Sequence, residues 1–366
     1  MNVIFAGGGT AGHINPAVAI ANYISKAEKC NISFCGGKGN LEETLVPRLG
    51  YPIDVFPLKG LSRGKSPSAL VHNAKAFYDM KAAVAGSKRI IREKKPDIVI
   101  GTGGYASFPM VLAAAKCGVK TAILEVNAVA GVATKRLAPK VDCVLLAYGV
   151  TEKEIKAKRI EETGSPVRAE LIGCHKKGKR TIFDNGLPIV LSFWGSVGAK
   201  YMNEKMKDYL AIVAREKKFN HIHASGKGYY EDMKKALAEN GALNSPNVIL
   251  ADYIYNMGEI MSQADLVLCR SGGTLAELCA AGMPSVLVPS PYVAENHQER
   301  NARVLENAGA AVLLKEKDAT PESMYETIEK LVQNEEKLKD MSESALKLGH
   351  PDALQRIFDT VKSLLG

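Results

Sequence analysis

Two segments of the 366-residue chain are built to one plan. Residues 97–124, "DIVIGTGGYASFPMVLAAAKCGVKTAIL", and residues 265–288, "DLVLCRSGGTLAELCAAGMPSVLV", both read as strand, glycine-rich turn, alanine-rich helix, glycine and strand. A strand that hands over to a helix and then to another strand implies parallel pairing, with the helix crossing one face of the sheet. The same alternation runs through the rest of the chain. In the first half the β-rich runs are "NVIFAG", "NISFCG", "PIDVFPL", "PDIVIGT", "KTAILE" and "DCVLLAYG". The second half restarts at "LPIVLSFWGSVGA" and continues with "FNHIHAS", "NVILADY", "ADLVLCRSGG", "PSVLVPS" and "AAVLL". The expected fold is α/β: two Rossmann-like domains with parallel sheets facing a central cleft, each long enough to bury its own core.

The join is expected in the loop region around "IEETGSPVRAELIG", followed by a basic surface loop from Lys176 to Arg180. This gives domains over 1–164 and 165–345. The tail breaks at Gly349 and Pro351, then places Leu354, Ile357, Phe358, Val361 and Leu365 at helical spacing. A helix over about 351–366 is expected to pack back on the first domain.

Composition removes several classes. Apolar residues make up 46% and charged residues 24%, the profile of a globular protein. No run reaches the roughly 18 apolar residues of a spanning helix. The start, "MNVIFAGGG", enters a strand without the charged segment or cleavage site of a signal peptide. Seven cysteines, an odd number without a C-x-x-C pair, favour a reducing cytoplasm and argue against a zinc site. His221 and His223 alternate on one face of a strand and read as structural. The net charge of +9 is uneven: Lys59 to Lys95 holds ten Lys/Arg against Asp79 and Glu93, a local +8. Such a segment suits nucleic acid, an acidic membrane surface or an anionic substrate.

Four strand ends carry glycine turns, at 7–12, 101–104, 195–198 and 271–273. Together they point to an anionic ligand at the carboxyl ends of the strands. The first, Gly7-x-Gly9-x-x-Gly12, has dinucleotide spacing. However, the acid that should end the second strand is replaced by Cys35, Gly36 and Gly37, and Glu42 and Glu43 fall in the next segment. That argues against NAD.

The ordered set "GGGTAGHINPAVAIA", "GTGGYASFP", "TGSPVR", "GSVGA" and "ADLVLCRSGGTLAELCAAGMPSVLVPSPYVAENHQERNA" resembles the MurG family. These are peripheral-membrane glycosyltransferases of GT-B architecture that turn lipid I into lipid II in bacterial peptidoglycan synthesis. The resemblance implies inverting transfer of GlcNAc from UDP-GlcNAc to the C4 hydroxyl of undecaprenyl-pyrophosphoryl-MurNAc-pentapeptide. It also implies a place on the cytoplasmic face of the membrane, and no cofactor, metal or nucleic-acid partner. His13 is the first candidate for the base; the alternative is that it donates to a phosphate or caps the turn. Glu125 is the second candidate. Thr10, Gly12, Gly103, Gly104, Tyr105 and Asn127 match acceptor-side positions, the glycine loop serving as a cradle for the acceptor pyrophosphate.

Arg168, Ser196, Ile254, Met257, Thr274, Glu277, His297 and Gln298 match the donor side. Glu277 takes the ribose hydroxyls, Ile254 meets the uracil, Arg168 and Ser196 lie near the diphosphate, and His297 and Gln298 read the sugar. Helix termini and Arg168 stand where an Asp-x-Asp metal site would otherwise be. The basic segment places Leu70, Phe77, Met80 and Val84 near one helical face, with Lys75, Lys81, Lys88 and Arg89 around it. That stripe either docks on an anionic leaflet or packs on the core. Departures from the family pattern are Trp194 for a glycine, Val197 for a glutamine, a shorter "RSGGTLAE" turn, and Leu124 and Val126 for His and Gln. The last two are expected to remove polar groups from the acceptor side. The alternatives are a GT-B transferase acting on another lipid such as diacylglycerol, a UDP-GlcNAc epimerase, or a non-catalytic UDP-sugar-binding protein.

Overall fold

Residues 1–58, 60, 66–175, 179–195 and 198–366 are described by the structure, a computed structural model. Lys59, Arg63 and Lys65 of the basic segment, Lys176 and Lys177 of the loop before Arg180, and Ser196 and Val197 of the third glycine turn lie outside the described residues. Residues Met1–Pro166 and Asp352–Gly366 form one compact unit, and Val167–Pro351 form a second.

The first unit carries strands β1 (Asn2–Gly7), β2 (Asn31–Gly37), β3 (Ile53–Phe56), β4 (Ile98–Gly103), β5 (Lys120–Glu125), β6 (Cys143–Leu146) and β7 (Ile160–Glu162). Between them run α1 (Ala11–Ala27), α2 (Leu41–Arg48), α3 (Pro67–Lys94), α4 (Phe108–Lys116) and α5 (Val132–Leu137). The strands pair in parallel in the order β3-β2-β1-β4-β5-β6-β7, so the order reverses between β1 and β4. Because successive side chains alternate faces, Phe5 and Ile100 pack under α1 while Ile4, Val99 and Ile123 pack on the opposite face with Met110 of α4. β7 falls in the region expected to be a loop. It is a three-residue edge strand, "IEE", too short and too charged to show alternation.

The second unit carries β8 (Ile189–Phe193), β9 (Asn220–Ala224), β10 (Val248–Ala251), β11 (Leu266–Cys269), β12 (Ser285–Leu287) and β13 (Ala311–Leu313). Its helices are α6 (Lys200–Glu216), α7 (Tyr230–Glu239), α8 (Met257–Gln263), α9 (Thr274–Ala281), α10 (His297–Asn307), α11 (Pro321–Val332) and α12 (Glu335–Leu348). The parallel order β10-β9-β8-β11-β12-β13 reverses between β8 and β11. The last helix, α13 (Ala353–Leu365), belongs to the first unit. It buries Ile357 and Val361 in the core beneath α1, sets Phe358 edge-on to Tyr23, and pairs Lys362 with Glu28 at 2.8 Å.

Leu124 corrects the sequence reading, and Trp194 takes a place the sequence left open. Trp194 is buried in the core of the second unit, with the Arg270 guanidinium over its ring. Leu124 is fully buried, so it removes no polar group from a binding surface, while Val126 is half-buried against the same core.

His221 and His223 point to one face of β9, wholly buried. Tyr209 OH lies 3.1 Å from His221 Nδ1, and His221 Nε2 is 2.8 Å from Ser192 Oγ. Ser192 Oγ is 2.7 Å from His223 Nδ1, and His223 Nε2 faces Asn203 Oδ1 at 3.3 Å. Asn203 Nδ2 donates to the Ser225 carbonyl, which can only accept, and this fixes every donor in the chain. Tyr209 donates to His221, His221 to Ser192, Ser192 to His223 and His223 to Asn203, with both rings neutral. Burial lowers both imidazole pKa values, His223 to about 3. Below the unfolded value of about 6.5 the unfolded chain takes up protons that the folded one refuses, so stability falls with pH. Between pH 7.5 and 5 the pair is expected to cost about 4 kcal/mol. Urea unfolding at the two pH values measures the loss. NMR should find neither ring titrating in that window; a midpoint near 6.5 would contradict the buried, neutral chain.

Candidate active site

In each unit the loops that flank the reversal of strand order open at the carboxyl edge of the sheet, the usual ligand crevice of such folds. In the first unit these are the β1–α1 and β4–α4 loops. Thr102, the penultimate residue of β4, holds His13 twice: its Oγ1 donates to the His13 carbonyl at 2.8 Å, and its own carbonyl lies 3.0 Å from His13 Nδ1. A carbonyl only accepts, so Nδ1 bears the proton and Nε2 of the neutral ring bears the lone pair. Close approach of the two loops requires glycine. A Cβ on Gly103 (φ +102°) would overlap the His13 ring, and one on Gly104 (φ +73°) would overlap the Gly8 carbonyl. Thr10 and Gly12 are exposed at the start of α1, whose first turn contains no acid. That leaves its backbone N–H groups and partial positive charge for an anion.

Tyr105, just beyond Gly104, accepts from Asn40 Nδ2 at 2.9 Å. Glu125 ends β5 almost fully buried. Its Oε1 accepts from the N–H and the Nδ2 of Asn127, both at 3.1 Å. Its Oε2 accepts from Gly131 N–H at 2.9 Å and Thr134 Oγ1 at 2.6 Å. With four donors on two oxygens, the carboxylate holds the 126–134 loop in shape. Taking a proton there would break that set. Asn127 in turn is fixed by that carboxylate and by Thr151 Oγ1, which donates to its carbonyl at 3.0 Å.

In the second unit Gly195 and Gly198 both have φ +84°, and Gly198 sits against the Ser225 carbonyl and the Tyr229 ring. Gly272 and Gly273, after β11, differ: among the described residues a Cβ on either would meet nothing within 4 Å. Packing does not demand glycine there, and without side chains the two residues leave the N-terminus of α9 open. Thr274 opens that helix and Glu277 lies on its first turn. Arg168 grips Glu277 with two bonds, Nε to Oε1 at 2.8 Å and Nη2 to Oε2 at 3.1 Å. Two residues that the sequence assigns to one nucleotide are thus paired with each other. Ile254 is buried and Met257 begins α8 beside it.

His297 and Gln298 begin α10 after Glu295 (φ 54°) and Asn296 (φ 50°), two successive left-handed residues without glycine's freedom. Such a conformation costs of order 1–3 kcal/mol per residue and is typical of functional turns. His297 Nδ1 donates to the Ala294 carbonyl at 2.8 Å, and Gln298 Oε1 accepts from Ser290 N–H at 2.8 Å. The Gln298 oxygen is thus engaged, and its NH2 is the donor end of the side chain.

Thr102, Asn40 and Glu42 were not singled out in the sequence, because their roles depend on strands meeting side by side. The one linear sign was an acid closely following Gly36 and Gly37.

Two parallel-sheet α/β domains of this kind are the architecture of GT-B glycosyltransferases such as MurG. The glycosyltransferase family 28 N-terminal domain matches residues 3–146 and the family 28 C-terminal domain matches residues 189–357. The chain belongs to the MurG family. It is 38% identical over 370 residues to the UDP-N-acetylglucosamine--N-acetylmuramyl-(pentapeptide) pyrophosphoryl-undecaprenol N-acetylglucosamine transferase of Acetivibrio thermocellus, covering 100% of this chain and 98% of that one. The transferase of the same name from Desulforamulus reducens is 38% identical over 372 residues, with 100% and 99% covered. The crystal structure of Acinetobacter baumannii MurG superposes with a TM-score of 0.79 at 27% identity over 99% of each chain.

Proposed function

We propose that this enzyme transfers GlcNAc from UDP-GlcNAc to the C4 hydroxyl of MurNAc in lipid I, with inversion, to give lipid II. The observation that carries the chemistry is the His13 ring, whose tautomer is set by Thr102 so that Nε2 can accept a proton. His13 Nε2 takes the proton of the C4 hydroxyl as its oxygen bonds to the anomeric carbon. The bond from that carbon to the β-phosphate oxygen breaks, and UDP departs with the electron pair. The N–H groups of Gly272, Gly273 and Thr274 and the Arg168 guanidinium stabilise the charge that develops on the diphosphate. Glu277 accepts from the ribose hydroxyls, and His297 and Gln298 bind the sugar. Thr10, Gly12, Gly103, Gly104, Tyr105 and Asn127 shape the acceptor side. Radiolabelled UDP-GlcNAc supplied with lipid I or with diacylglycerol tests the reading: label should enter lipid I. Label entering diacylglycerol alone would contradict it.

The acceptor's polyprenyl chain calls for a place on the cytoplasmic face of the bacterial membrane, and α3 supports one. Leu70, Val71, Phe77 and Tyr78 are 66%, 72%, 61% and 72% exposed, with Lys75 beside them and Lys81 over the Phe77 ring. Met80 and Val84 instead pack inward, so the apolar stripe read from sequence divides between core and surface. The outer part, apolar with a basic rim, suits an anionic leaflet. Phe77→Glu is expected to reduce cosedimentation with phosphatidylglycerol vesicles about tenfold, from lost apolar burial and added repulsion. Unchanged cosedimentation would remove α3 from the docking surface.

A further inference from the structure

Glu42, on the first turn of α2, has no part in the reaction described above, yet its side chain is 0% exposed. Its Oε2 accepts from Gly9 N–H at 2.8 Å and its Oε1 from Gly37 N–H at 2.8 Å. Asn40 Nδ2 lies 3.4 Å from Oε1 and also donates to the Tyr105 hydroxyl. A Cβ on Gly8 or on Gly36 would overlap this carboxylate. The glycines at the tips of β1 and β2 therefore make room for an internal group. The carboxylate occupies the place where a Gly-x-Gly-x-x-Gly loop would otherwise hold a phosphate against its amides. Gly8 in turn bears on Gly104, and Gly103 bears on the His13 ring.

We propose that Glu42 is a built-in anion that fills the phosphate seat of the first glycine loop. It converts that loop from a nucleotide site into a rigid support that positions His13. The inference rests on the proposed transfer reaction, and it sharpens that reading in one respect. The acceptor pyrophosphate does not lie on the Gly9 amide, which Glu42 occupies, but toward Thr10 and Gly12, at the acid-free first turn of α1. Glu42 acts through Gly9, Gly8, Asn40 and the β4–α4 loop rather than on substrate, so it is a positioning residue.

The test is Glu42→Gln in the full-length enzyme, assayed with UDP-GlcNAc and lipid I well below its melting temperature. The amide keeps the volume but sets an N–H donor against a backbone N–H. The expected result is a kcat about ten- to a hundredfold lower, with the UDP-GlcNAc KM within about twofold and the acid limb of the kcat profile displaced. A lower melting temperature with unchanged kcat and pH profile would overturn the proposal. If the wild type itself gives no product with lipid I, the transfer reading fails instead, and the two failures are distinct. Should Glu42→Gln not fold, hydrogen exchange on the wild type decides. Protected Gly9 and Gly37 amides are expected, and exchange at unprotected rates would overturn the proposal.

Discussion

His13→Ala is expected to lower kcat by about 10²- to 10⁴-fold, the range for loss of a positioned general base, with the UDP-GlcNAc KM nearly unchanged. The expectation follows from the ring's restraint. Nδ1–H is engaged by the Thr102 carbonyl, so the only basic atom of the neutral imidazole is Nε2. The acid limb of the kcat profile, where a protonated imidazole is inactive, should vanish with the ring. His13→Asn separates base from scaffold, because the Asn amide can still donate to the Thr102 carbonyl but supplies no base. It should recover stability without recovering kcat. If His13 merely donated to a phosphate, both variants would instead raise the KM for lipid I and leave the pH profile intact. Steady-state kinetics with each substrate varied in turn distinguishes the two roles.

Glu277→Ala is expected to weaken UDP binding about ten- to a hundredfold by calorimetry. Two effects oppose each other. Removing the carboxylate removes an acceptor for two ribose hydroxyls, each bond to a charged group being worth about 1.5–3 kcal/mol. It also releases Arg168 from its bidentate pair, which favours the diphosphate. Arg168 is 44% exposed in that pair, and exposed pairs are typically worth only about 0.2–1 kcal/mol, so the ribose loss dominates. Arg168→Ala should weaken UDP less than Glu277→Ala if this balance holds. Unchanged UDP affinity in Glu277→Ala would remove Glu277 from the donor site.

Much of the fold was legible because parallel strands buried on both faces leave near-continuous apolar runs between helical patterns. The tail helix was legible too, since Ile357 and Val361 fall on one face four residues apart. β7 was not, because an edge strand with partners on one side needs no apolar run, and "IEE" offers none. Leu124 misled for a related reason: motif position suggested a ligand surface, while strand alternation turned its side chain into the core. The glycines show the deeper limit. Gly8, Gly36, Gly103, Gly104, Gly272 and Gly273 look alike in sequence. Contacts across strands separate those that admit Glu42 or His13 from those that face open space. Glu42 itself was legible only as an acid in the wrong place for a ribose. Its bonds to Gly9 and Gly37 depend on the register of β1 beside β2.

We propose that the first glycine loop serves the acceptor and its base, whereas the nucleotide belongs to the second unit. A crystal structure with UDP-GlcNAc tests it most directly. Uracil is expected beside Ile254, the ribose hydroxyls on Glu277 and the diphosphate at the Gly272, Gly273 and Thr274 amides. Nucleotide density over Gly8 and Gly9, with Glu42 displaced, would contradict it.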